Sequence, residues 1–316
     1  MEIEHDYHEH SVSVSNLSKN YAGEHALAGL SFSVVAGRLF GLIGADGAGK
    51  TTLLRVLTTL CDFDGGSAKV LGRDVVKDYR YLRTKIGYMP QKFSLYQDLS
   101  VRENMLFFAD IFGVDAAHRK ERMERLLSFS RLEPFKNRRA RDLSGGMKQK
   151  LALSCALIHT PDIVFLDEPT TGVDPVSRRE FWEILFDLKK QGTTVVVSTP
   201  YMEEAQQCEE LLFLHHGKII RQGTPEKLPA EYPFPLFSVE GQAEGILAYP
   251  QSGKMPEGIA MIYPSEGSLH VAAKKKDSSS EDVLSAVKSV LPETLMIRKI
   301  EPKIEDLFIY LLSNVA

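Results

Sequence analysis

Residues Arg38–Leu57 read RLFGLIGADGAGKTTLLRVL, and three patterns follow one another within them. Leu39, Phe40, Leu42 and Ile43 make a short apolar run, as a buried strand would. Gly44–Gly49 is a glycine-rich turn. Lys50, Thr51 and Thr52 then open a stretch whose apolar residues, Leu53, Leu54 and Leu57, recur at helical spacing. Strand, loop and helix around G-x-x-x-x-G-K-T spell a phosphate-binding loop. Glycines at 44, 47 and 49 let the backbone curl so that its N–H groups point inward at a polyphosphate, and the helix N-terminus behind them adds partial positive charge. Lys50 would reach the outer phosphates, and Thr51 would offer its hydroxyl to Mg²⁺. A turn that merely joins strand to helix is disfavoured, because both flanking patterns are present.

Working outward, Ser11–Leu17 alternates like an edge strand and Ala26–Val35 gives a second strand-like stretch, with Tyr21 and Gly23 in the turn between them. Ser67–Leu71 and Ile86–Met89 read as strands, the latter running into Pro90-Gln91. From about residue 92 to 142 the chain turns helical and charged. Ser100 and Glu103 have capping-box spacing ahead of Met105, Leu106, Phe108, Ile111 and Phe112, and a second helix is expected over Ala116–Phe129. Leu143-Ser144-Gly145-Gly146 opens another helix, whose apolar face Met147, Leu151, Cys155 and Ile158 puts Cys155 in the core. Ile163–Leu166 is a fully apolar strand ending in Asp167-Glu168, and in open parallel sheets ligands bind at that end. A helix over Ser177–Lys190, a strand over Thr193–Ser198, a short helix over Tyr201–Cys208 and a hairpin through Leu211–Ile220 follow. Trp182 is expected to pack on its helix.

Pro225, Pro229, Pro233 and Pro235 mark a linker. Beyond it the order is a strand at Leu236–Glu240, a helix at Ala243–Tyr249, strands at Ile259–Tyr263 and Ser268–Ala272, a helix at Glu281–Leu291 and a strand at Leu295–Lys299. That is βαββαβ, the ferredoxin-like split unit, with a last helix carrying Ile304, Leu307, Phe308 and Leu311. The expected division is therefore a disordered tail over 1–10, an α/β domain over 11–224 with a helical subdomain at about 92–142, a linker over 225–235, and a small α+β domain over 236–316.

Composition narrows the function. The 316 residues are 43% hydrophobic and 25% charged, as in an ordinary globular protein. No apolar run approaches the roughly 20 residues that a bilayer crossing needs, and the polar N-terminus, MEIEHDYHEH, reads as neither signal nor transit peptide. A net charge of −4 argues against a nucleic-acid footprint, which demands a basic face. Cys61, Cys155 and Cys208 are far apart and odd in number, which suggests reduced thiols in a cytosolic setting. His5, His8 and His10 read as part of the tail, not as a metal site, and Lys274-Lys275-Lys276 as a solvated turn.

Taken together, the phosphate loop, Leu143-Ser144-Gly145-Gly146 at a helix start, Asp167-Glu168 at a strand end, Gln91 at another strand end and Asp174 shortly after Glu168 resemble the ATP-binding subunits of ABC transporters. The wording FGLIGADGAGKTTLLRVLTTL, SVRENMLFFADIFGV and LSGGMKQKLALSCALI is most similar to the ABC-2 type exporter branch, which includes multidrug and sodium efflux ATPases. The likeness covers about Ser11–Gly223 strongly and the rest loosely. It implies a phosphate-loop NTPase fold of the ABC type with a helical subdomain, ATP and Mg²⁺ as ligands, and ATP hydrolysis. It also implies transmembrane permease subunits and a second ATP-binding subunit as partners, with the chain peripheral to the cytoplasmic face of the membrane.

Residue by residue, the resemblance puts Tyr21 against adenine. Gly44, Ala45, Asp46, Gly47, Ala48, Gly49, Lys50, Thr51 and Thr52 would hold the phosphates and Mg²⁺. Gln91 would touch metal and attacking water, Asp167 would hold Mg²⁺ through water, and Glu168 would act as general base. Ser144, Gly145, Gly146 and Gln149 would meet ATP bound to the opposite subunit, and Asp174 would lie in the loop that couples the two. With one phosphate loop and one such signature, a working unit needs two ATPase subunits.

Two residues depart from the pattern. Where the family has a histidine facing the γ-phosphate, this chain has Pro200, which carries no donor. Asp46 replaces the usual asparagine. These departures leave open a site that binds ATP but hydrolyses it slowly, or one in which Thr199, Tyr201 or water substitutes. A soluble ABC-type ATPase acting on ribosomes or nucleic acid, and a non-hydrolysing scaffold, are the competing functions.

Overall fold

The computed structural model describes residues 9–92, 95–240, 255–265, 267–287 and 296–315. Most of the N-terminal tail, Phe93 and the helix expected over Ala243–Tyr249 lie outside them. The chain divides into two compact units, Met1–Pro225 and Glu226–Ala316.

In the first unit, β1 (His10–Tyr21) and β2 (Glu24–Val35) pair antiparallel, β3 (Leu39–Ile43) leads through the glycine turn into α1 (Lys50–Leu57), and β4 (Gly65–Val70) pairs with β1 and with the short β5 (Arg73–Asp74). A single turn of helix, α2 (Tyr79–Leu82), precedes β6 (Ile86–Met89). Helices α3 (Val101–Ile111), α4 (Ala116–Phe129) and α5 (Gly145–Leu157) lead to β7 (Ile163–Asp167). After it come α6 (Pro175–Lys190), β8 (Thr194–Thr199), α7 (Met202–Ala205), β9 (Glu210–His215) and β10 (Lys218–Gly223). Tyr21 is thus the last residue of a strand, not a turn residue.

Two sheets result, one ordered β2-β1-β4-β5 and one ordered β10-β9-β3-β8-β7-β6. In the second, β9, β3, β8, β7 and β6 run parallel, and β3 and β7 are buried along their whole length. That is why their sequences are apolar runs without alternation. One core joins the two sheets and α1: Leu53, Leu54 and Leu57 share a cluster with Val12, Leu30 and Val70 of the first sheet and Leu42, Phe165 and Leu212 of the second. A separate core in the helical stretch gathers Val101, Met105, Met123, Leu127, Leu151, Cys155 and Ile158. The α3 start is the expected capping box, with Ser100 Oγ accepting from Glu103 N and Glu103 Oε2 accepting from Ser100 N. Trp182 is buried in α6.

In the second unit β11 (Leu236–Glu240), β12 (Ile259–Ser265), β13 (Ser268–Ala273) and β14 (Met296–Ile300) form an antiparallel sheet ordered β12-β13-β11-β14. That is the strand order of a split βαβ unit. Phe237, Leu269 and Val271 pack with Val283 and Val287 of α8 (Ser280–Val287) on one face. Leu236 and Ala272 pack with Tyr232, Ile309 and Tyr310 on the other, the last two from α9 (Ile304–Val315). Within the stretch expected as a linker, 225–235, Leu228–Glu231 is a 3-10 turn and Tyr232, only 7% exposed, joins this core with Phe234. Pro229 sits at the start of that turn.

A buried polar network fastens α9 to the sheet. Asp306 Oδ1 accepts from Tyr263 Oη at 2.9 Å and lies 2.7 Å from His270 Nδ1, while Oδ2 accepts from Lys303 N at 2.6 Å. Burial pushes the Asp306 carboxyl up, but the bonds from His270, Lys303 N and Tyr263 outweigh it and hold the group below its ordinary range. A depressed folded-state value means stability that is present above the unfolded value, about 3.9, and is lost as pH falls through the folded one. Asp306→Asn is therefore expected to destabilise this unit by about 2 kcal/mol at neutral pH and to shrink its acid-induced loss below about pH 4. Thermal melts between neutral pH and pH 2 check this, and an unchanged melting temperature at pH 7 would contradict it.

Candidate functional site

The sheet order sets four strand ends side by side. Ile43 pairs with Thr199, Asp167 with Ser198, and Leu166 with Met89. The chain leaves that edge as the glycine loop, as Pro200, as Glu168 and as Pro90-Gln91. Residues far apart in sequence therefore converge at the carboxyl edge of one parallel sheet, where its ligand crevice is expected.

At that edge lies a cavity of about 400 Å³ walled by Ala26, Asp46, Gly47, Ala48, Gly49, Lys50, Thr51, Thr52, Gln91 and Glu168. Gly49 caps α1 at φ +104°, and a Cβ there would stand 2.5 Å from the Ala26 carbonyl oxygen, so the loop closes only on glycine. Lys50, Thr51 and Thr52, which line the cavity, precede the first helical bond, from Leu53 N to Gly49 O. Lys50 is 4% exposed. Its Nζ donates to Gly44 O at 2.7 Å and Ala45 O at 3.1 Å, and lies 3.0 Å from Glu168 Oε1. Glu168 is held from several sides: Oε2 accepts from Gln91 Nε2 at 2.8 Å, and its N–H donates to Ser198 Oγ at 3.0 Å. Its φ of +47° is a strained setting for a carboxylate side chain at a strand end.

Asp167 beside it is fully buried. One oxygen accepts from Ser198 Oγ at 2.8 Å, and the other, Oδ2, has no partner. Burial pushes its carboxyl above the ordinary range, a push that the neighbouring Ser198 and Thr51 hydroxyls only partly counter. A buried carboxylate oxygen left unpaired is costly unless a cation serves it. Thr51, Asp167 and Gln91 form an all-oxygen-capable set of the kind that hard Mg²⁺ takes, so the residues present fit that metal. Among the described residues there is no group of three or more His, Cys, Asp or Glu side chains that could hold a metal ion.

Other sequence-flagged residues fall outside the cavity. Tyr21 ends β1 opposite Glu24, two residues before Ala26, and is 45% exposed. Ser144 caps α5 by accepting from Met147 N at 3.3 Å, and Ser144 and Gly145 are exposed while Gln149 is half-buried. Gly146 packs so closely on α6 that a Cβ would stand 2.4 Å from Ser177 Cβ. Asp174 caps α6 by accepting from Ser177 N at 2.9 Å, a bond that holds its carboxyl below the ordinary range. Pro200 is half-buried just past Thr199, whose hydroxyl accepts from Tyr201 N at 3.0 Å.

Some contributors escaped sequence reading. Ser198 bonds both Asp167 and Glu168, and its only signal is a hydroxyl residue in register with Asp167. Ala26 lines the cavity from another sheet. Lys150, buried in α5, pairs with Glu180 of α6, which also meets Arg131. His215 and His216 flank the β9–β10 turn beside Gly217, whose N–H donates to Ala48 O of the loop at 3.0 Å. A larger recess of about 520 Å³ among α3 and α4 is lined by Leu106, Met123 and Leu127 together with charged residues such as Arg102, Arg119 and Lys136.

Residues 27–171 match a family model described as ABC transporter. Over 309 residues, 96% of this chain, it is 40% identical to "Probable multidrug ABC transporter ATP-binding protein YbhF" of Escherichia coli (strain K12), and covers 52% of that protein. The chain thus spans about half the length of the first curated relatives it matches. It is 40% identical over 223 residues to "Nod factor export ATP-binding protein I" of Paraburkholderia xenovorans (strain LB400), which covers 70% of this chain and 73% of the relative. Similar solved structures include "Structure of ATP binding subunit of ABC transporter", with TM-score 0.64, 28% identity, and 70% of this chain and 92% of that one covered. Another is "Dimeric structure of a post-hydrolysis state of the ATP-binding cassette MJ0796 bound to ADP and Pi", with TM-score 0.62, 27% identity, and 67% and 98% covered.

Proposed function

Because this chain belongs to the ABC transporter family of ATP-binding proteins, we propose that it binds and hydrolyses ATP to energise a membrane exporter of the ABC-2 type. The observation that carries this is the Lys50–Glu168 pair at the mouth of the glycine loop, with Gln91 and Asp167 beside it. The loop's N–H groups and Lys50 bind the phosphates. An incoming polyphosphate competes for Lys50 Nζ, drawing it off the Gly44 and Ala45 carbonyls and off Glu168. Glu168, released from its ammonium, is then free to take a proton from an attacking water, with Gln91 orienting that water. Thr51 and Asp167 would hold Mg²⁺, which supplies neutralisation of phosphate charge.

Ser144, Gly145, Gly146 and Gln149 stand outside this cavity, so the same chain has a second nucleotide-facing element with nothing of its own to face. That favours a pair of ATP-binding subunits, this chain twice or with a paralogue, each completing the other's site, with Asp174 in the coupling turn. Pro200, at the strand end next to the loop, offers the γ-phosphate no donor. The site on this chain's own loop is accordingly slow, and its Ser144 tip serves a partner's faster site. No helix of the described residues is long and apolar enough to cross a membrane, which suits a subunit docked on permease partners at the cytoplasmic face.

Sedimentation of the Glu168→Gln chain tests this. Without its general base the complex is expected to persist with Mg·ATP as a species of twice the mass, alone or with a second ATP-binding subunit, and to co-purify with hydrophobic permease subunits. Capture of ribosomes or nucleic acid in their place would overturn the transport reading.

A further inference from the structure

Tyr21 presents an unusual problem of placement. At 45% exposure, core packing does not fix its ring, yet it stands across the β1–β2 ladder only two residues from Ala26, a wall of the phosphate-loop cavity. Polar contacts do the fixing. The Tyr21 hydroxyl lies 3.0 Å from Cys61 Sγ, and Lys19 Nζ sits 5.3 Å from the ring centroid. Lys19 is itself held by Asp64, Nζ to Oδ1 at 3.2 Å, and the other Asp64 oxygen accepts from Asn20 N at 2.6 Å. The cation over the ring is of the kind that strengthens an aromatic face without burying it.

These tethers lead back to the phosphate loop. Cys61 N donates to Arg55 O at 3.1 Å, at the end of α1, whose first residue is Lys50. An eight-residue helix of about 12 Å therefore connects the phosphate cradle to the anchor of the ring.

On the nucleotide-binding reading just given, we propose that Cys61, with the Lys19–Asp64 pair, positions Tyr21 as the platform on which the nucleotide's base stacks. Cys61 is a positioning residue: it touches the ring that touches the base. Fixing an exposed, rotatable side chain before binding removes an ordering cost, and losing the tether weakens base-dependent affinity by about 5-fold, the scale of one immobilised side chain. Phosphate binding, set by Lys50 and the loop, does not change.

Titration calorimetry of the full chain with Mg·ATP and with Mg·tripolyphosphate, which has no base, separates the terms. Cys61→Ala is expected to lower ATP affinity about 5-fold and leave tripolyphosphate affinity unchanged. Cys61→Ser, which keeps a hydrogen-bonding group, is expected to retain ATP affinity. The native protein gives an independent readout. Cys155 and Cys208 are buried while Cys61 is half-exposed, so a maleimide reaches Cys61 first, its thiolate adding across the C=C bond to leave a thioether and a protonated carbon. That adduct should weaken ATP but not tripolyphosphate, and bound ATP should slow its formation more than tripolyphosphate does. Equal ATP affinity in Cys61→Ala and wild type, or an equal loss for both ligands, would overturn the proposal. Tyr21→Ala distinguishes the underlying reading: if it too leaves ATP affinity intact, the base does not stack there, whereas failure to bind either ligand in the wild type would remove the nucleotide site itself.

Discussion

Lys50→Ala is expected to lower the affinity for Mg·ATP by about 100-fold to 1000-fold, the scale of breaking a buried charge pair, roughly 3–4 kcal/mol. Two effects add. The ammonium that would meet the outer phosphates is lost, and Glu168, 6% exposed and adjacent to the fully buried Asp167, is left without a cation. Two neighbouring buried carboxylates repel, and an anionic ligand approaching them gains nothing. The variant should also melt below wild type in the absence of nucleotide, because its resting ion pair is gone. Titration calorimetry and thermal melts measure both. An affinity within a factor of about 3 of wild type would remove Lys50 from the binding account.

The second large effect concerns the strand end beside the loop. Pro200→His is expected to raise single-turnover hydrolysis at this chain's own site by about 100-fold to 1000-fold, the usual worth of one preorganised donor to a transferring phosphoryl group. Thr199, Tyr201 and Ser198 are already engaged locally: Thr199 Oγ1 accepts from Tyr201 N, the Tyr201 ring lies against Arg178, and Ser198 Oγ donates to Asp167. Of the three, only Ser198 has its O–H committed, to Asp167; Thr199 and Tyr201 keep theirs, and the measurement reads whether either already serves in place of a histidine. The measurement mixes excess enzyme with radiolabelled ATP and the competent partner. Equal rates for the two chains would end the slow-site idea and leave ordinary turnover.

Much of the first unit was legible because its signals are local. The glycine loop, the Ser100–Glu103 box and the apolar runs of β3 and β7 each declare themselves within a few residues. Lys50 and Glu168 could be named separately for the same reason. Their contact could not, since it depends on β8 inserting between β3 and β7 in the sheet, and strand order leaves no mark on local composition. Ser198 went unread because one hydroxyl at a strand end resembles any other until Asp167 is placed beside it. The second unit hid more. Tyr263, His270 and Asp306 are spaced too widely to form a motif, and β13 lacks alternation because both of its faces are covered. The prolines between 225 and 235 have the spacing of a linker, whereas Tyr232 among them is anchored in the core.

The crowding of Gly146 against Ser177 and the Lys150–Glu180 pair bolt α5 to α6 at their starts. The Ser144 tip and the Asp174 turn are thereby fastened to each other through α5 and α6. In the proposed pair of ATP-binding subunits, a neighbour would meet both together, and a tug applied to the helical lobe would arrive at both at once.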